Sequence, residues 1–147
     1  MKITNLIENH ADDGLCCEKG LSLFIEHKGK YILFDTGKTG DFVKNAEQLN
    51  VPLQKTEYIV LSHGHYDHTG GLKTYIKKYG TQFKLVVNPR IFIKKYKKFD
   101  NRVDFLGNNF DMNYVMEKNI EVKSIDNTMT ELTDDISVIN GIKRKTD

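Results

Sequence analysis

LSHGHYDHTGGL, residues 61–72, is the stretch that decides the reading of this chain. Three of the chain's five histidines, His63, His65 and His68, stand there with Asp67 inside six residues. The preceding run Glu57–Leu61 (EYIVL) has strand formers and a continuous apolar end, as expected of a strand buried on both faces. Gly70 and Gly71 follow, giving a tight turn into a helix over Leu72–Lys78 that Gly80 ends. The histidines therefore fall on a polar loop at the end of a buried strand. Two His at i and i+2 in extended backbone point the same way and can share one ion. Asp67 and His68, on the turn, can serve a second. Neutral imidazole and carboxylate suit zinc, at ~2.0–2.2 Å, with manganese or iron as other divalent choices. A lone HxH would pass as chance, but this density of donors between a strand and Gly-Gly reads as a metal site. Asp67 is also the candidate catalytic group.

Working outward, Lys2–Ile7 reads as a first strand. Leu21–Glu26 and Tyr31–Asp35 read as a hairpin around His27-Lys28-Gly29-Lys30. Between Gly40 and Asn50, Phe42, Val43, Ala46 and Leu49 recur at helical spacing, and Asn50 with Pro52 ends that helix. Downstream, Phe83–Val87 is a strand, and Pro89 opens a helix carrying Ile91, Phe92, Ile93 and Tyr96. A helix near Phe110–Lys118, a strand Ile120–Ile125, a turn and a strand Ile136–Ile139 complete the chain. Strands alternating with helices indicate an α/β layered domain. Neither a repeat nor a linker divides the 147 residues.

Composition is that of an ordinary globular protein, with 39% apolar and 29% charged residues. No apolar run approaches the ~20 residues of a membrane-spanning helix. Residues Met1–Asp13 turn acidic before a signal peptide could form, so a cytoplasmic location is expected. Adjacent Cys16 and Cys17 make no disulfide framework and suit a reducing compartment. The net charge of +2 is uneven: residues 73–102 hold 10 basic residues and one acidic. That block is either a solvated helical face or the place where an anionic partner is drawn.

The quoted stretch matches the HxHxDH signature and resembles the metallo-β-lactamase superfamily. GLSLFIE (20–26), ILFDTGKTG (32–40) and NPRIFIKKY (88–96) extend the resemblance over most of the chain. They are most similar to the branch of dihydropterin-ribofuranosylaminobenzene-phosphate synthase-like proteins and β-lactamase superfamily II metal-dependent hydrolases. The resemblance implies an αββα sandwich, of which these residues are the amino-terminal half. It also implies that His63 and His65 bind one metal, and Asp67 and His68 the other. Two metals ~3.5–4 Å apart lower the pKa of a shared water toward ~7 and polarise the bond under attack. Asp35 resembles the superfamily's supporting acid beneath the metal loop, although a strand-end Asp satisfying turn amides is an equal reading. His68 directly after Asp67 points away from antibiotic hydrolysis, and His65 points away from di-iron redox chemistry. Lys19 departs from the branch, which has His in that phrase.

The superfamily's site takes a further His, a bridging Asp and a final His from the second half of the sandwich, and no histidine follows His68. Asp126, Asp134 and Asp135 offer only carboxylates. The reading is thus a truncated domain over residues 1–147, and two functions follow from it. One is a two-metal hydrolase acting on an anionic small molecule of phosphorylated pterin type. The other is a non-catalytic truncated or split-gene subunit that a partner chain, or a homo-oligomer, completes. A lone half is also expected to leave one sheet face uncovered. Nucleic acid is disfavoured as a partner, since no RNA-binding module is recognisable.

Overall fold

The structure is a computed structural model that describes residues 1–126 and 128–141. Strands β1 (Lys2–Ile7), β2 (Ser22–His27) and β3 (Lys30–Phe34) run antiparallel in that order. The β2–β3 hairpin turns on Lys28 and Gly29, both at positive φ, so its two-residue turn has the twist that flanking strands favour. Helix α1 (Asp41–Gln48) then buries Phe42, Val43 and Ala46, the spacing expected of one face. Strand β4 (Tyr58–Val60) lies parallel to β3. The loop that follows holds a single helical turn, α2 (Tyr66–Thr69), and runs directly into α3 (Leu72–Tyr79). Strand β5 (Lys84–Val87) pairs parallel to β4.

From here the structure departs from the helix expected over Ile91–Tyr96. Pro89–Phe92 is only one 3₁₀ turn, capped by the Asn88 side chain, which accepts from the Arg90 amide. The chain then leaves helical backbone at Ile93 and forms the hairpin β6 (Tyr96–Lys98) and β7 (Val103–Phe105). The Ile91 carbonyl, which a continued helix would use, accepts instead from the Asn108 side-chain amide at 3.0 Å and from Lys95 Nζ at 3.4 Å. Tyr96 instead pairs with Phe105, ring centroids 5.4 Å apart. Helix α4 (Met112–Glu117), capped by Asp111, leads to β8 (Glu121–Ser124), parallel to β5. Strands β9 (Met129–Thr133) and β10 (Ile136–Ile139) close a last hairpin. The sequence showed only the second of these strands.

The main sheet has the order β1-β2-β3-β4-β5-β8, antiparallel at one side and parallel from β3 onward. Each parallel pair needs a crossover, and α1, α3 and α4 supply them. Side chains alternate across the sheet. Leu33, Ile59 and Leu85 join the helices in the larger core; Ile32, Val60 and Val86 face the other way. That second face is not bare as expected. Leu132, Ile136 and Val138 of the β9–β10 hairpin pack on it, and the Tyr58 hydroxyl donates to the Leu132 carbonyl. Apolar exposure persists at the margins, at Ile3, Met129 and Ile139.

Candidate metal centre

Asp35 and the cluster His63, His65, Asp67 and His68 lie beyond the carboxyl ends of β3 and β4, where open α/β sheets place their ligand crevices, whereas Asp134 and Asp135 lie in the β9–β10 turn, Asp135 beside the β2–β3 turn. Asp35 follows β3 and takes a left-handed conformation, φ 56°. Its amide donates to the Val60 carbonyl at 2.9 Å, which ties the end of β3 to the end of β4. The turn points the carboxylate into the interior, where the residue is completely buried.

That carboxylate organises the loop. Asp35 Oδ1 accepts from the Ser62 amide at 2.8 Å, and Oδ2 accepts from the Ser62 hydroxyl at 2.6 Å. Oδ2 also lies 2.7 Å from His68 Nδ1. Because the Ser62 proton goes to Asp35, Ser62 Oγ must accept from His63 Nδ1, 2.9 Å away. The consequence for both rings is the same. His63 and His68 carry a proton on Nδ1, which leaves Nε2 as the nitrogen a metal would take once it is unprotonated and, at His63, released from its bond to His65 Nδ1. As to the two roles weighed for Asp35, its carboxylate bonds to Ser62 and His68 of the loop and not to amides of its own turn.

The loop brings His63, His65 and His68 together. His63 Nε2 lies 2.9 Å from His65 Nδ1, and the His63 and His68 ring centroids are 4.3 Å apart. Two nitrogens bound ~2.1 Å from one ion are ~3.0–3.4 Å apart, so the His63–His65 pair, hydrogen-bonded at 2.9 Å, would have to open slightly to share one. The donor set, imidazoles with a carboxylate orienting two of them, fits zinc. Burial depresses the His63 pKa, with help from the neighbouring His68 and His65, and so keeps that ring neutral. The hydrogen bond to Asp35 raises the His68 pKa against the opposing effect of burial. Asp67 is buried in the first turn of α2, and Lys19 Nζ stands 3.6 Å from its Oδ2. Lys19 therefore places an ammonium against the carboxylate assigned to the second ion.

The support of this loop was not legible from the motif. Thr36 takes the His68 carbonyl through both its amide (2.8 Å) and its hydroxyl (3.2 Å). Glu18 Oε1 accepts from the Lys38 and Thr39 amides, each at 2.9 Å, and fixes the 36–40 loop against the metal loop. Gly71 is needed for close approach rather than for turning: its φ is an ordinary −78°, but a Cβ would lie 2.2 Å from the Thr36 carbonyl oxygen. Among the basic residues of the middle block, Arg90 and Lys95 border the loop. They line a cavity of about 610 Å³ together with His63, Gly64 and Asp126. Lys73, Lys77, Lys78, Lys94, Lys97 and Lys98 are exposed.

The Metallo-beta-lactamase superfamily model matches residues 17–126, which include every one of these donors. The chain belongs to that superfamily. Its match to the metallo-β-lactamase fold is close in a crystal structure of Tm1679, described as a metal-dependent hydrolase of the β-lactamase superfamily. That likeness has a TM-score of 0.71 and 26% identity, over 93% of this chain and 46% of the other. Two proteins of Methanocaldococcus jannaschii are similar in sequence. The uncharacterized protein MJ0448 is 36% identical over 62% of this chain and 36% of its own length. The 7,8-dihydropterin-6-methyl-4-(beta-D-ribofuranosyl)-aminobenzene-5'-phosphate synthase is 34% identical over 63% of this chain and 34% of its own. This chain thus spans about a third of the curated relatives it matches and less than half of the solved hydrolase. Among the described residues no helix is long and apolar enough to cross a membrane.

Proposed function

We propose that this chain carries one half of a two-metal hydrolytic site acting on an anionic small molecule, of the phosphorylated pterin type that the synthase relative's name suggests. The observation that carries the reading is the Asp35 relay, which fixes His63 and His68 through Nδ1, while His63 Nε2 and His65 Nδ1 meet at one point. His63 and His65 would hold one divalent ion, zinc by the chemistry of the donors, and Asp67 and His68 the second. When bound, such ions supply a water acidic enough to attack at neutral pH and positive charge for the oxygen that develops. The chain's own groups do the rest. Asp35 and Ser62 hold the His63 and His68 rings through Nδ1, and Asp67 would take the proton of an attacking water. Zinc titration followed through the histidine ring resonances tests this. Shifts at His63, His65 and His68, lost in His63→Ala and His65→Ala, are expected; shifts confined to His10 and His27 would refute it.

A second reading is favoured by the ligand count. The assignment gives each ion two protein ligands, whereas catalytic zinc sites hold ~3. On that reading these residues form a subunit that binds and orients but turns over only when a partner chain, or a further segment, completes the site. Hydrolysis of a phosphate ester by the zinc-saturated 147-residue chain alone would decide for the first reading; activity only on adding the complementing half would decide for the second.

A further inference from the structure

We propose that Lys95, with Arg90 beside it, forms a phosphate-binding subsite next to His63, and that this subsite seats the anionic group of the substrate; the proposal rests on the hydrolase reading above. The argument begins with Gly64, between the two histidines of HxH. A Cβ there would lie 2.2 Å from the Ile91 carbonyl oxygen and 2.7 Å from Lys95 Nζ. Only a bare backbone lets the segment after β5 approach so closely, and the approach carries the Lys95 ammonium onto the metal loop.

Lys95 differs from its neighbours. Lys94, Lys97 and Lys98 are exposed, whereas Lys95 is half-buried. Its ammonium donates to the Ile93 carbonyl at 3.0 Å and reaches the Ile91 carbonyl at 3.4 Å. These two bonds aim a long, flexible side chain and leave one N–H of the ammonium free. Among the described residues no carboxylate pairs with it. Burial lowers its pKa, as for a cation that has lost water and gained no counter-ion. A partly desolvated, unpaired cation gains more from an arriving anion than a fully solvated surface lysine does.

The surroundings suit a phosphate. The 610 Å³ cavity beside His63 is large enough for a small organic phosphate. Arg90 enters it from the 3₁₀ turn that Asn88 caps, likewise without a carboxylate partner among the described residues. A planar guanidinium with a point-like ammonium matches a tetrahedral dianion. One carboxylate, Asp126, lines the same cavity, and Ser124 Oγ lies 3.0 Å from both of its oxygens. The cavity wall therefore carries two cations against one anion. His63 forms part of that wall, so an anion held by Lys95 places its ester bond within reach of the metal loop.

The test is titration of the metal-free protein, in EDTA, with inorganic phosphate, followed by amide resonances. Saturable shifts at Gly64, Arg90 and Lys95 are expected. Lys95→Met should weaken phosphate about tenfold, the loss of one charge-assisted hydrogen bond. Lys95→Arg should restore most of the binding, and Lys94→Met should stay within about twofold of wild type, as a solvated surface charge does. Melting temperatures of all variants exclude loss of fold as the cause. Phosphate that does not saturate, or that binds Lys95→Met as it binds wild type, overturns the proposal. EDTA removes metal from this assay, so a failure of zinc binding at His63 and His65 would leave the phosphate result standing, and the two readings fail separately.

Discussion

Asp35→Asn separates the supporting carboxylate from the backbone turn that places it. Asn tolerates the left-handed φ of 56°, so the substitution leaves the turn intact and removes only charge and acceptor capacity. One oxygen still accepts from the Ser62 amide. The other position becomes an NH₂ group facing Ser62 Oγ and His68 Nδ1, which now must reorient. Two bonds to a buried charge are lost, nominally ~1.5–3 kcal/mol each. His68 and Ser62 can both turn toward water, which brings the expected cost down to ~2–4 kcal/mol. For a chain of this size that is a fall in Tm of roughly 5–12 °C. Zinc affinity should fall by about 10–100-fold, the usual cost of removing a group that orients a ligand. The pH dependence has a definite sign. The Asp35 bond raises the folded-state pKa of His68 above its ordinary 6.5, so that part of the stability is full below about pH 6.5 and is lost as pH rises through the folded value. The His68 contribution to the difference between wild type and Asp35→Asn, measured by thermal melts in EDTA, should therefore shrink from acid to mildly alkaline pH. A variant that melts within about 1 °C of wild type and binds zinc equally well would refute the relay.

Gly64→Ala has no φ penalty, yet its Cβ would meet the Ile91 carbonyl at 2.2 Å; it should cost ~1–3 kcal/mol in denaturant melts, and a neutral result would mean the loop is loosely packed. Lys19→Ala removes a cation 3.6 Å from Asp67, so binding of a second zinc should tighten by about two- to fivefold in calorimetry, and a weaker second site would show that Lys19 supports rather than opposes it. Lys28 and His27 hold the Asp135 carboxyl down to about 2, and the stability that this pairing gives is present above the ordinary value near 3.8 and lost as pH falls through about 2. A carboxylate titration read by NMR should place Asp135 there; a midpoint near 3.8 would mean that the β9–β10 turn is not tethered to the β2–β3 turn.

The elements that were legible in the sequence are those whose burial has one period. Leu33, Ile59 and Leu85 alternate with Ile32, Val60 and Val86, and Phe42, Val43 and Ala46 recur on one side of α1. Ile91–Tyr96 misled because its apolar residues also fit a helix; in the structure the Ile91 carbonyl accepts from the side chain of Asn108, seventeen residues on, and the chain turns into the β6–β7 hairpin. β9 escaped because only Leu132 in it is buried, too little pattern to mark a strand. Within the candidate site, the clustering of His63, His65, Asp67 and His68 was readable because they lie within six residues of sequence. Their supports were not. Ser62, Thr36 and Glu18 are common polar residues whose role depends on partners 20 to 32 positions away, or next door through a ring whose orientation only the fold sets.

The order of construction matters for what the candidate site can do. In a small zinc module the ion supplies the folding energy and the apo chain is unfolded. Here the larger core runs from Leu6 to Ile120 and includes Phe24, Phe42, Leu72 and Leu85 at zero exposure, so the frame stands on apolar burial. Asp35 is fixed by that frame through Val60 and Ser22, and the rings are fixed by Asp35. Each link runs from sheet to carboxylate to imidazole. The entropic cost of orienting His63 and His68 is therefore met during folding rather than at metal binding, which is the condition for a preorganised site. On the proposed function, further ligands would add to rings already oriented by β3, β4 and the loop between Ser62 and His68.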